Sequence, residues 1–238
     1  MKKCFLYSGF IPVTCIVLAG MLMLAYLGSV TAATVAELDI LSRRKTVIID
    51  AGHGLPDGGA TSCTGVLECR MNLEIATRLN DLMHLLGAKT YMLRTGDNSV
   101  YTQGQTIAAK KISDLKNRVA AVNSMTDSVL VSIHQNHFPD SRYHGPQVFY
   151  AETAGSRELA QAVQKELTQH LDPDSRRQCK PANGVYLMQH IQNTGILIEC
   201  GFISNPREEA KLRSADYQKL LCGVIAGSIL RHMQSPAA

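Results

Sequence analysis

Two histidines and two glutamates stand where the sequence could do chemistry. His53 follows a β-prone run in a loop crowded with glycine and proline, "VIIDAGHGLPDGGA" (47–60). Glu68 comes just after that loop, at the start of a helical pattern. His134 lies in "SVLVSIHQN" (128–136) and Glu199 in "TGILIEC" (194–200). Two imidazoles and a carboxylate can hold zinc through three protein ligands and leave a position open for water. A further carboxylate can then serve as general base. Three of the four also have plainer accounts. His53 could be a turn residue, Glu68 a favourable charge at a helix start, and His134 a hydrogen-bonded core histidine. Glu199 resists one. In the apolar run "ILIECGFI" a lone carboxylate costs several kcal/mol unless it finds a cation, a metal or a raised pKa.

The elements that would position these groups follow from the hydrophobic pattern. "TVIIDAG" reads as a short buried strand. Met71, Ile75, Leu79, Leu82 and Leu86 recur at helical spacing over 67–86, and Gly87 stops that helix. "AKTYMLR" is the next strand and 95–106 a long loop. A helix is expected around 115–124, strands at 128–136 and "PQVFYA", and a helix over "SRELAQAVQKELTQHL". "GVYLM" and "TGILIEC" read as the last strands. One helix is expected from Asn205-Pro206 to about His232. Strands alternating with amphipathic helices predict a single α/β domain with a mostly parallel, or else mixed, twisted sheet. In such sheets ligands gather at the carboxyl ends of strands, where the four residues fall.

The chain has 238 residues, 45% of them hydrophobic and 18% charged, enough to bury one core. No repeat or second composition regime appears. Lys2 and Lys3 precede an uncharged stretch whose most apolar part is "IVLAGMLMLAYL" (16–27), followed by small residues at Val30, Ala32 and Ala33. This reads as a signal peptide or an N-terminal membrane anchor over 1–33, and either puts the rest of the chain outside the cytoplasmic membrane. A polar linker is expected over 34–45, the domain over 46–233 and a tail over 234–238. Without residues 1–33 the chain has 22 basic and 20 acidic residues, net +2, too weak a bias to suggest nucleic acid. Five cysteines remain, Cys63, Cys69, Cys179, Cys200 and Cys222. Their odd number and spacing fit free thiols better than a disulfide framework.

Four motifs in order carry a resemblance. "IIDAGHGLPDGGA", "GVLE" (65–68), "NRVAAVNSMTDSVLVSIHQN" (117–136) and "ILIECGFISNPREEAKL" (196–212) resemble the zinc-dependent N-acetylmuramoyl-L-alanine amidases, the amidase-3 family of peptidoglycan hydrolases. The resemblance covers about 46–232. It implies that His53, Glu68 and His134 bind one zinc ion and that Glu199 is the catalytic carboxylate. "HGPQVFY" (144–150) is similar to the spore-cortex, germination-specific branch, named for its role in making muramic lactam. Ala51, Leu55-Pro56 and Thr194 depart from the family's common pattern without removing any of the four residues.

The expected reaction is hydrolysis of the amide between N-acetylmuramic acid and L-alanine of the stem peptide. Around the four residues, Asp50 and Asp57 could orient His53 or simply cap turns. His137, in "HQNH", competes for a ligand role or sits in a loop near substrate, and Asn136 beside it is a candidate substrate contact. Arg94 could meet a peptide carboxylate or make a structural pair. Peptidoglycan is the expected partner, with the membrane joining if the leader stays and a regulatory protein if the enzyme is gated. Two other readings stay open: a zinc peptidase acting on the stem peptide, and a non-catalytic wall-binding protein of the same fold.

Overall fold

The computed structural model describes residues 21–24 and 45–234. The leader, linker and tail expectations lie outside the described residues, apart from one helical turn at 21–24 and the ends at 45 and 234. Among the described residues no helix is long and apolar enough to cross a membrane. The chain divides into Met1–Arg44 and Lys45–Ala238, and the second unit is described by itself.

Six strands form one sheet: β1 (Thr46–Ala51), β2 (Thr90–Met92), β3 (Ser128–Asn136), β4 (Gln147–Tyr150), β5 (Lys180–Pro181) and β6 (Thr194–Phe202). Their order is β2-β1-β3-β6-β4-β5. All neighbouring pairs are parallel except β4 against β6, so the sheet is mixed. The helices are α1 (Glu68–Leu85), α2 (Ile107–Asn123), α3 (Ser156–Leu171), α4 (Tyr186–His190), α5 (Pro206–Leu212) and α6 (Ala215–Gln234). Residues of α1, α3 and α6 share one core with Val47, Ile49, Val131, Ile196 and Ile198 of the sheet. Val122 of α2 and Leu187 and Met188 of α4 share another with Ile48, Leu130 and Leu197. Alternate residues of each strand thus enter opposite cores, which is why the central strands read as continuous apolar runs.

Chain order along the sheet reverses at β1: the chain leaves it through α1 to β2 on one side and returns through α2 to β3 on the other. Such a reversal leaves a crevice at the carboxyl ends of the two strands. His53 follows β1 and His134 lies near the end of β3, so both fall at this crevice.

Three expectations are corrected. "GVYLM" is not a strand: Gly184 takes φ +79 and the chain enters the short helix α4. Five apolar residues fit either period, and burial of Leu187, Met188 and Ile191 against Leu197 decides for the helix. The final helix is two, because Ser214 opens a new turn whose Gln218 side chain satisfies the carbonyl of Leu212 at 2.8 Å. α2 begins eight residues earlier than expected, where the Thr106 hydroxyl caps it by accepting from the Ala109 N–H. The five described cysteines are free.

Candidate metal centre and active site

The chain leaves β1 through a loop with a sharp local conformation. His53 has φ +59, the left-handed region that non-glycine residues seldom occupy. Such a residue persists only where its surroundings hold it, and here three side chains do. Arg94 donates to the carbonyls of Ala51 at 2.8 Å, Gly52 at 2.9 Å and Cys69 at 2.7 Å. Arg118 of α2 donates to the carbonyls of Ala51 at 3.0 Å and His53 at 2.6 Å. Asn72 of α1 donates to the Gly52 carbonyl at 3.1 Å. The carbonyls of three successive residues are therefore fixed.

The loop delivers His53 to Glu68 and His134. Nε2 of His53 lies 3.3 Å from Oε2 of Glu68, and Nδ1 of His134 lies 3.1 Å from Oε1. The imidazole centroids are 5.0 Å apart, edge to face. One ligand atom from each of His53, Glu68 and His134 falls within 4.8 Å of the others, the one such cluster of His, Cys, Asp or Glu among the described residues. Asn72 and the backbone N–H of Gln135 hold Oε1 of Glu68 at 3.2 Å each, and the N–H of Ala60 holds Oε2 at 3.0 Å. Gln135 in turn donates to Asn72 at 3.2 Å.

The other nitrogen of His53 faces Asp57, Nδ1 to Oδ2 at 3.0 Å, and Lys111 contacts the same oxygen at 3.0 Å. A carboxylate behind a ligand histidine fixes its ring orientation. Asp57 thus occupies the orienting position. Asp50 does not: its carboxylate pairs with Arg118 and accepts from Ser132 Oγ at 2.6 Å. Arg94 is buried among backbone carbonyls and presents no face to a substrate. The register of β3 on β6 slips between His134 and Asn136, so residues beyond His134 are re-aimed. His137 is exposed and outside the cluster, and Asn136 is half-buried with its carbonyl taken by the Ile203 N–H.

Glu199 is the register partner of His134 on the adjacent strand. Its Oε2 is buried with no hydrogen-bond partner. Burial pushes its pKa up to about 7, and the negative charge of Glu68 works in the same direction. At Glu68, burial is outweighed by the hydrogen bonds from His134 and His53, which hold its carboxyl far below the usual range. At His53, burial is outweighed by the hydrogen bonds to Asp57 and Glu68, which push its pKa up to about 9. The centre as a whole draws positive charge to itself. An oxygen-and-imidazole donor set with an orphaned carboxylate beside it suits a divalent cation.

Gly52 makes this close packing achievable. A Cβ built on it would lie 2.2 Å from Nε2 and 2.3 Å from Cε1 of His134. Gly52→Ala must therefore displace the His134 ring. If the cluster holds zinc through His134, its affinity should fall by at least about tenfold, the scale seen when support of a ligand is lost. Competition against a fluorescent chelator measures it, and unchanged affinity would detach His134 from the cluster.

A cavity of about 280 Å³ adjoins the two histidines, its lining including Leu115, Val185, Leu187, Leu197, Lys111 and Tyr186. Sequence reasoning did not single out Asn72, Lys111, Arg118 or Gln135. Asn72 carried a signal, standing one helical turn after Glu68 on the same face. Arg118 carried one too, a charge one turn after Asp114 on the buried side of an amphipathic helix.

The N-acetylmuramoyl-L-alanine amidase family model (Amidase_3) matches residues 47–231. The germination-specific N-acetylmuramoyl-L-alanine amidase of Bacillus subtilis (strain 168) is 36% identical over 190 residues, 79% of each chain. The CwlD amidase of Clostridioides difficile, solved in complex with the GerS lipoprotein, superposes with a TM-score of 0.75 at 34% identity. That match covers 79% of this chain and 98% of the other. An N-acetylmuramoyl-L-alanine amidase of Clostridium difficile 630 gives 0.69 at 32% identity, covering 82% and 100%. With the ordered motifs, the mixed sheet and the histidine–glutamate cluster all in agreement, the chain belongs to the N-acetylmuramoyl-L-alanine amidase family.

Proposed function

We propose that the chain is a zinc-dependent amidase that cleaves the bond between the lactyl group of N-acetylmuramic acid and L-alanine of the stem peptide. His53, Glu68 and His134 would hold the ion. The observation that carries this is the convergence of their ligand atoms within 4.8 Å beside the unpartnered Oε2 of Glu199. Zinc in such a site supplies Lewis acidity and makes water nucleophilic near neutral pH. Asp57 keeps His53 aimed at the centre, and Asn72 with the N–H groups of Ala60 and Gln135 keeps Glu68 there. Glu199 is the base: its carboxylate takes the proton of the attacking water and returns it to the nitrogen of the leaving L-alanine. Its buried Oε2, with no partner of its own, is free to take that proton and give it up again.

We further propose a role in spore-cortex modification, at the outer face of the cytoplasmic membrane or in the cortex. Similarity to a germination-specific amidase supports it. That the C. difficile relative was solved with a lipoprotein supports a regulatory protein partner of similar kind here. Mass analysis of peptidoglycan treated with the purified zinc-loaded protein tests the reaction. A released stem peptide with a free N-terminal L-alanine is expected. A shortened stem left on the glycan would make the protein a peptidase, and intact material would make it a binding protein.

A further inference from the structure

We infer that the exposed rings of Phe138 and Tyr143 form a platform that stacks against an N-acetylhexosamine ring of the glycan strand, next to the sugar whose lactyl arm is cut. The inference rests on the amidase reading above for the identity of the strand. A chain of contacts links the platform to Glu199. Gln147 is the register partner of Glu199 on β4. Its Oε1 accepts from Arg177 at 3.2 Å, and the Arg177 guanidinium lies 5.0 Å from the ring centre of Phe202. Phe202 is buried at the end of β6, and Tyr143 lies against it at 6.1 Å between ring centres. Phe138 meets Tyr143 edge to face at 4.7 Å. Phe138 and Tyr143 are 45% and 46% exposed.

The loop that carries them is held from beneath. The N–H of Phe138 donates to Ser204 Oγ at 3.0 Å. Asn205 donates to the carbonyls of Ser141 at 2.8 Å and Tyr143 at 3.2 Å. The buried Glu208 accepts from the Gly145 N–H at 2.8 Å. Two aromatic side chains, each nearly half exposed, are thus held on a fixed support where a ligand can reach them from solvent. Two rings are far smaller than the roughly 800 Å² that each partner gives to a stable protein interface. They match one or two pyranose rings, whose axial C–H groups pack on aromatic faces while the hydroxyl and acetamido groups stay in water. The stem peptide, with its carboxylates, has no such face. Because the lactyl arm is short, the glycan must pass the same rim that carries Glu199.

The test uses the full chain loaded with zinc, as wild type, Phe138→Ala/Tyr143→Ala and Tyr143→Phe. Saturation-transfer NMR with tetra-N-acetylchitotetraose, which has no stem, should place wild-type ring protons against sugar C–H groups, and the double variant should lose the signal. On stem-bearing glycan strands the double variant should show KM raised about tenfold at unchanged kcat, from the loss of two ring contacts. On a single-sugar N-acetylmuramoyl dipeptide it should match the wild type, which also shows that it folds. Tyr143→Phe keeps the ring and should keep the KM. Equal changes on both substrates, or no contact between chitotetraose and these rings, would overturn the platform. If the rings bind chitotetraose but no muramoyl amide is cut, the platform stands and the amidase reading falls.

Discussion

Glu199→Gln should lower kcat on a muramoyl peptide by about a thousandfold, within the range a positioned general base contributes, while zinc content stays at one ion per chain. Glutamine keeps the shape of the side chain and cannot take a proton. Steady-state kinetics with metal analysis checks both parts, and a variant that retains wild-type turnover would remove Glu199 from the proposed reaction. The same substitution has an opposite effect on stability in the metal-free protein. The folded-state pKa of Glu199 is raised from 4.5 to about 7. Its contribution is therefore fully present below pH 4.5 and is lost as the pH rises through 7, because the folded state must then bury a charge. Metal-free Glu199→Gln should unfold at the same temperature as the wild type at pH 4. Above pH 7 it should be the more stable protein, by on the order of 3 kcal/mol. Loss of function together with gain of stability is expected where a group is kept for chemistry.

Arg118→Met should cost about 3–5 kcal/mol of stability, as when one partner of a buried ion pair is removed. Arg118 is 2% exposed and meets two carboxylates, that of Asp50 and that of Asp114 at 2.9 Å, besides the carbonyls of Ala51 and His53. Its loss leaves Asp50 charged and buried beside Ser132 alone. Urea denaturation of the metal-free protein measures the cost. Lysine should not restore it, since one ammonium cannot reach two carboxylates and two carbonyls at once. Asp50→Asn in the Arg118→Met background should recover part of the loss. If Arg118→Met were as stable as the wild type, the network would not be what holds the loop. The Asp50 carboxyl is held low: burial opposes this, but the Arg118 charge and the Ser132 hydroxyl outweigh it. That part of the stability is present above pH 3.8 and disappears as the pH falls through the lower folded-state value.

Much of the architecture was legible because it rests on local pattern. Helices α1 and α3 and strands β3 and β6 could be read from periodicity, since long segments average over single exceptions. "GVYLM" was too short for that, and tertiary burial chose helix over strand. Ser214 was not legible as a break because its effect depends on Gln218 reaching back to a carbonyl. At the centre, Glu199 announced itself as a charge in an apolar strand. His53, Glu68 and His134 were legible together through ordered motifs, and the structure shows their side chains converging. Asp50 and Asp57 looked alike in sequence, each within four residues of His53. Which one faces the ring depends on Arg118, 61 residues beyond Asp57, and on Ser132, so no local reading could separate them.

The fit of the His134 ring against Gly52 also sets an order of events. The two residues meet only once β1 and β3 have paired, and that pairing joins Asp50 to Ser132 across the whole of α1, β2 and α2. Closing so long a loop is among the slower steps of folding a sheet. Until it closes, the chain has two scattered histidines and no chelate. An ion held by that cluster would therefore arrive late, locking a finished sheet instead of nucleating one. Zinc supplied during refolding should leave the folding rate unchanged and slow only the unfolding rate.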